Sequence, residues 1–231
     1  MKKILQIMKN CLLLLFIAFT ACKTKNKQQD KAVSADSASV TVTKQMLQPE
    51  DVTKDVGALL PAPNSYHLKE ARKWYDASGE NWLVLYETGS YGDKKTETAS
   101  AKLSASLYIK KDTGFAEQWK MNDHITECPL DVVCEFYKSH LQITDLDKNG
   151  TAEITMVYAL SCRGDISPNN KKLLMYEGNN KFAIRGSEMV IAQKDSVGGE
   201  MNIEASFGKA PAVFLVFAKE HWKKFGRQKY E

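Results

Sequence analysis

From His67 onward, short apolar runs alternate with turn residues roughly every ten positions, a spacing that suits antiparallel strands. His67–Tyr75, Trp82–Glu87, Leu103–Lys110, Phe115–Met121, Val132–Tyr137, Leu141–Thr144, Glu153–Leu160, Lys172–Glu177 and Lys181–Arg185 read as strands. The breaks between them carry turn chemistry. Asp76-Ala-Ser78-Gly79, Asp112-Thr-Gly114 and Gly178-Asn-Asn180 are turn signals, since short polar side chains can bond their own backbone and glycine tolerates a positive φ. The period changes over Pro211–Phe225, where apolar residues fall at 213, 214, 217, 218, 222 and 225. That is the 3.6-residue repeat of an amphipathic helix, with Pro211 near its start and Gly226 at its end. A buried strand over Ala212–Ala218 is the competing assignment, and continuation of the repeat through Trp222 and Phe225 favours the helix. The pattern therefore predicts a mainly β (α+β) fold: an antiparallel β-meander or sandwich-like domain over residues 65–231, closed by a C-terminal amphipathic helix. Two turn-strand segments echo each other, Asp76-x-x-Gly79 and Asp147-x-x-Gly150, which hints at a repeated hairpin.

The first residues follow another logic. Met1, Lys2, Lys3 and Lys9 give a positive start, and Leu12 to Phe19 give an apolar run. That run falls short of the about 20 residues needed to span a bilayer. It closes on Phe19-Thr20-Ala21-Cys22, which resembles the lipobox of bacterial lipoproteins. The resemblance implies that residues 1–21 are a signal peptide and that the Cys22 thiol carries the lipid. The acyl chains would then hold the protein to the inner or outer membrane of a cell envelope, outside the cytoplasm. Residues 23–46 contain no aromatic residue, Gly or Pro and cannot bury enough surface to offset backbone ordering, so residues 22–64 read as a lipidated cysteine and flexible tether. A short helix or turn and a Pro61-Ala-Pro63 entry occupy its end.

Composition narrows the classes. Apolar residues make up 43% of the 231-residue chain and charged residues 26%, which excludes a disordered chain and a multi-span membrane protein. The formal charge is +4, but Lys2, Lys3 and Lys9 lie in the signal, leaving 29 basic against 28 acidic residues. A near-neutral domain has no electrostatic footprint for nucleic acid.

One segment carries recognisable chemistry. Asp145-Leu-Asp147-Lys-Asn149-Gly150-Thr151-Ala-Glu153 places oxygen side chains at relative positions 1, 3, 5 and 9, with glycine at 6 for the sharp turn. Calcium takes about six to eight hard oxygen ligands, and the Thr151 carbonyl would add one. Position 12, where an EF-hand needs a bidentate Glu, is Met156. The loop instead resembles the calcium hairpins of FG-GAP-type β-propeller blades, in which the ninth residue is the last ligand and leads into a strand. It implies one structural calcium ion on Asp145, Asp147, Asn149, Thr151 and Glu153. An ion-free hairpin whose Asp side chains cap backbone amides is the alternative.

Of the cysteines, Cys128, Cys134 and Cys162 lie in the domain. Cys128–Cys162 is the favoured disulfide, placed beside the aspartate loop; Cys128–Cys134 is the local rival, and Cys134 suits burial. Arg163-Gly164-Asp165 forms an adhesion-type tripeptide, or a polar loop in which Arg163 and Asp165 pair or cap each other. No GxSxG, HExxH, Walker or GxGxxG pattern is present. Trp74, Tyr75, Tyr91 and Trp119 are candidates for stacking on sugars, or for ordinary packing.

Ile143-Thr-Asp-Leu-Asp-Lys-Asn-Gly-Thr-Ala-Glu-Ile, Cys162-Arg-Gly-Asp165-Ile-Ser-Pro168, Lys172-Leu-Leu-Met-Tyr-Glu-Gly178, Lys181-Phe-Ala-Ile-Arg-Gly186 and Trp74-x-Asp76-x-x-Gly-Glu-Asn81 together resemble a poorly characterised family of bacterial envelope lipoproteins loosely linked to surface polysaccharide biosynthesis. The resemblance implies an accessory or binding module without catalysis of its own, with envelope glycans or polysaccharide-assembly proteins as partners. The alternative is a calcium-assisted, glycan-active envelope enzyme with acids on neighbouring strands.

Overall fold

Trp82, Val84 and Tyr86 alternate along one strand with Leu83 and Leu85, and all five are buried. A strand apolar on both faces must lie between two layers, and the computed structural model, which describes residues 47–60, 62–93, 95–192 and 195–230, supplies them. In chain order its elements are β1 (Glu50–Asp51), α1 (Val56–Leu59), β2 (His67–Asp76), β3 (Gly79–Glu87), β4 (Tyr91–Asp93), β5 (Thr98–Lys111), β6 (Gly114–Cys128), β7 (Asp131–Phe136), β8 (Gln142–Thr144), β9 (Glu153–Arg163), β10 (Asn170–Glu177), β11 (Asn180–Ser187), β12 (Met189–Ala192), β13 (Asp195–Gly198), β14 (Met201–Ile203), a 3₁₀ turn (Ala205–Lys209), α2 (Ala212–Trp222) and β15 (Arg227–Tyr230). The fold is mainly β and antiparallel, with a short C-terminal helix.

The strands form two large sheets. One runs β1-β2-β3-β5-β4, with β6 also on β5; the other runs β14-β11-β10-β9-β7, with β8 also on β9. They face each other across a core of Trp74, Leu83, Leu85, Leu103 and Leu107 from the first, and Phe136, Ile154, Met156, Tyr158 and Leu174 from the second. The two-residue period puts the intervening residues on the outer faces. Val157, Leu173, Met175 and Ile184 meet Phe207 of the 3₁₀ turn and Phe214, Ala218 and Trp222 of α2. Ala71, Trp82, Val84 and Tyr86 are covered by Val52 and Val56. The layers run helix, sheet, sheet, N-terminal strap.

That strap corrects the expected boundary. Residues 50–60, assigned above to the tether, are folded against the first sheet. Glu50 and Asp51 pair with Lys73 and Arg72, and Val52 and Val56 are buried. The Tyr86 hydroxyl donates to the Leu60 carbonyl at 3.0 Å. The polar Gln-Pro-Glu-Asp start hides two apolar residues four apart, which is enough to seat one helical turn. The signal peptide, Cys22 and residues 23–46 lie outside the described residues. Among the described residues no helix is long and apolar enough to cross a membrane.

The C-terminal helix follows the predicted repeat at Phe214, Ala218 and Trp222, while Val213 stays 38% exposed. It ends at Trp222, earlier than expected, and Phe225 and Gly226 belong to the turn that follows. The chain then enters β15, which pairs in parallel with β12 to make a third, small sheet with β13.

Two histidines fill the core. The His140 ring is 1% exposed, stacks on Phe136 at 4.8 Å, and accepts from Val157 N at Nδ1 (3.4 Å). Burial first, then the positive charges of Lys69, His221 and Arg72, hold it down at about 3. Its Nε2 stands 3.8 Å from Glu70, but a neutral ring makes no ion pair there. The unfolded chain takes this proton near pH 6.5 and the folded chain does not, so the ring's contribution is full above pH 6.5 and is lost as pH falls toward 3. We expect the stability difference between the native protein and His140→Gln to shrink by roughly 1.4 kcal/mol per pH unit from about pH 6 to 4, read by denaturant titration. A flat difference would show that the imidazole is hydrated.

Candidate metal centre

β8 and β9 pair antiparallel, with Thr144 opposite Glu153, and residues 145–152 close the hairpin. The chain turns back on itself through two left-handed positions, Lys148 (φ 62°) and Gly150 (φ 83°). A side chain at position 150 would strain that backbone, which is why glycine stands there. Three side chains then wind the loop around its own interior. Gly150 N donates to Asp145 Oδ2 (3.3 Å), Asn149 N to Asp147 Oδ1 (3.2 Å) and Thr151 N to Asn149 Oδ1 (2.7 Å).

What this winding encloses is acidic. Asp145, Asp147 and Glu153 each bring one carboxylate oxygen within 4.8 Å of the others. Oxygen ligands held about 2.3–2.6 Å from one calcium ion lie within about 5 Å of each other, so the cluster fits a single coordination sphere. Glu153 is completely buried. Its Oε2 accepts from the Thr144 hydroxyl and Leu146 N, both at 2.9 Å, while Oε1 has no partner. Asp145 Oδ1 is also buried without a partner. None of the ion pairs among the described residues involves these three carboxylates. Burial pushes the Glu153 carboxyl up to about 7; hydrogen bonds from Leu146 and Thr144 pull against this, and the charges of Asp147 and Asp145 add to it. Such an arrangement can hold a divalent cation that supplies the missing counter-charge.

The five residues read from the sequence are thus in one loop, with different parts to play. Asp145, Asp147 and Glu153 converge. The Asn149 amide is turned toward Asp147 Oδ2 (3.1 Å) and Glu177 Oε1 (2.6 Å), and Thr151 bonds the loop through its N–H. Glu177 was not singled out above. It lies opposite Glu153 in the β9–β10 register, so a fourth carboxylate borders the cluster.

The echoing turn at Asp76 proves to be the loop's neighbour. Ala77 N donates to the Gly150 carbonyl (2.7 Å), and Ala152 N donates to Asp76 Oδ2 (3.1 Å). The rest of Asp76 is committed to Trp74 Nε1, Ser78 N and the Ser78 hydroxyl. It is a joint between the two sheets rather than a ligand.

The other singled-out residues separate. Cys128 and Cys162 stand at disulfide distance (Sγ–Sγ 2.02 Å, Cα–Cα 5.6 Å) and join β6 of one sheet to β9 of the other. The bridge is not beside the aspartate loop as expected. Cys162 is nine residues along β9 from Glu153, about 30 Å away at strand rise. Cys134 is buried and unpaired, and burial pushes its thiol up to about 12, which makes it inert. Arg163 turns inward, donating to Asn169 Oδ1 and the Asp165 carbonyl (both 2.7 Å), while the exposed Asp165 carboxylate accepts from Ser167 N (2.9 Å). The tripeptide is a locally bonded turn. Trp74 is buried and Trp119 stacks on Tyr176 at 4.1 Å, leaving Tyr75 and Tyr91 as exposed rings.

Compared with family models, with curated proteins and with solved structures, the chain finds no match.

Proposed function

We propose that this is a lipid-anchored protein of the bacterial cell envelope, an accessory or binding module in surface-polysaccharide assembly, whose β domain carries one structural calcium ion. The anchor rests on Phe19-Thr20-Ala21-Cys22 after its apolar run, and the process on the family resemblance over roughly residues 65–225. The observation that carries the structural part is the buried, partnerless Glu153 Oε1 beside the carboxylates of Asp145 and Asp147. The candidate ligands are consecutive in one loop, which favours a saturated ion over one with an open position for substrate. The loop is also wedged against the Asp76 turn of the facing sheet, where an ion would fix hairpin register and the sheet-to-sheet joint together.

Calcium titration followed by thermal melting tests the ion. Binding to the folded state alone stabilises by about 2.7 kcal/mol at a hundred times the dissociation constant. The expected result is a saturable rise in Tm that disappears in Asp145→Ala/Asp147→Ala. No shift in the native protein would remove the ion from the reading. Separately, deletion of the gene should change the surface-polysaccharide profile, and an unchanged profile would remove the module from that process. Cleavage of envelope glycans by the purified protein, abolished by loss of one carboxylate, would establish the enzyme in its place.

A further inference from the structure

At the other end of the second sheet, a cavity of about 300 Å³ opens between β12, β14 and the turn after α2. Its walls are apolar, supplied by Met189, Met201, Trp222 and Phe225. Its charged lining is of one sign only, Lys171, Lys223 and Arg227, with no acidic residue among the groups that line it. The volume is at the lower end of the range for small-ligand sites, about 300–1,000 Å³, and the composition is theirs too: mostly hydrophobic, with a few convergent polar groups.

Lys171 is the unusual wall. It is 4% exposed and sits on the helix-covered face of the sheet. Its ammonium lies 4.0 Å over the Trp222 ring and donates to the carbonyls of Phe225 (2.9 Å) and Trp222 (3.4 Å), so it caps the C-terminal end of α2. An ammonium has three donors, and those two carbonyls use two. The charge of Glu188 acts on it from a distance, while that buried carboxylate takes its hydrogen bonds from the neutral groups of Tyr137, Asn169 and Gln228. Lys171 makes no ion pair among the described residues; burial lowers its ammonium to about 8, with the Glu188 charge pulling against this. Lys223 and Arg227, both exposed, stand at the rim and make no ion pair among the described residues.

We infer that this cavity binds a small amphipathic anion, a carboxylate or phosphate monoester carrying an aliphatic tail, with the head group on Lys171, Lys223 and Arg227 and the tail between Trp222, Met189 and Met201. The head group would place a negative charge at contact distance from Lys171, which makes no ion pair among the described residues, and the tail replaces water against three apolar side chains. The site stands about one strand length from the aspartate loop and is independent of it.

Calorimetric titration of the full chain with octanoate and with octyl phosphate tests this, with octylammonium and inorganic phosphate as controls. The expected result is saturable one-to-one binding of at least one of the two anionic amphiphiles, quenching of Trp222 fluorescence, and no binding of octylammonium. Which head group wins distinguishes a carboxylate from a phosphate ligand. Lys171→Met should abolish binding, but Lys171 also caps α2 and its loss can unfold the helix. The rim variant Lys223→Glu/Arg227→Glu removes only exposed charge and should weaken binding at least tenfold with Tm unchanged. No saturable binding of either anion, equal binding of octylammonium, or an unaffected rim variant would overturn the inference.

Discussion

Replacing Cys128 and Cys162 with serine should lower the unfolding free energy by about 4 kcal/mol, the largest single loss we expect from any exchange of two atoms in this protein. The paired cysteines are 34 residues apart, and closing a loop of that length removes about that much chain entropy from the unfolded state at 25 °C. Location adds to the effect. The bridge ties the last residue of β6 to β9 and so holds one end of the two facing sheets, where Leu130 and Ile166 beside it are exposed and contribute little packing. Guanidinium titration of oxidised protein against the double serine variant checks this; a loss below about 1 kcal/mol would mean that the sheets meet equally well without the bridge.

Glu153→Gln is expected to act in opposite directions with and without calcium. Without metal, the native protein holds three carboxylates within one small volume, one of them wholly buried, and no cation among their partners. Removing one negative charge relieves that repulsion, and an amide keeps the shape and still accepts from Leu146 N or the Thr144 hydroxyl. The variant should be more stable than the native protein by roughly 1–3 kcal/mol in chelator, the usual range for an unsatisfied buried polar group. With saturating calcium the order should reverse, because the ligand that completes the sphere is gone and the native protein alone gains from the ion. Melting both proteins in chelator and in excess calcium gives the four numbers. Parallel behaviour of the two proteins in both buffers would show that Glu153 is an ordinary buried acid.

How much of this was readable beforehand follows from the range over which each signal acts. The strands around Trp82 and Ile154 announce themselves by apolar content, and their turns by Asp, Asn and Gly, because both signals are local. Which face of β9 meets which layer was not readable. Ile154 to Leu160 is apolar almost throughout, and a strand buried on both sides loses the alternation that would orient it. The short helix at Val56–Leu59 was readable in the sequence, but its packing on the domain was not, because only the distant face of β2 and β3 gives Val52 and Val56 somewhere to go. β15 was missed for the same reason: Arg227-Gln-Lys-Tyr230 has no β pattern and is a strand only because β12 is there to pair. The aspartate loop was legible since its residues are consecutive. Glu177 was not, because it joins the cluster through the β9–β10 register, which no short stretch of sequence reveals. The Asp76 echo was visible as a resemblance between two turns, yet their mutual contact required the sheets to be stacked first.

The strap has a mechanical consequence. A pull on the chain from its N-terminal side reaches the domain first at β1, which is joined to β2 by a ladder only two residues long. Beside that ladder stand ion pairs from Asp51 to Arg72 and Glu50 to Lys73, each 2.8 Å, with their acidic ends open to solvent. Such a ladder peels one rung at a time, whereas the fourteen-residue β5 inside the sheet is laddered to β3 on one side and to β6 on the other. Past that ladder, residues 50–60 are held by the buried Val52 and Val56 and by the Tyr86 hydrogen bond to the Leu60 carbonyl. Under tension they would release about 35 Å of chain, at full extension of eleven residues, while the facing sheets, held at one end by Cys128–Cys162 and at the other by the aspartate loop, keep their shape.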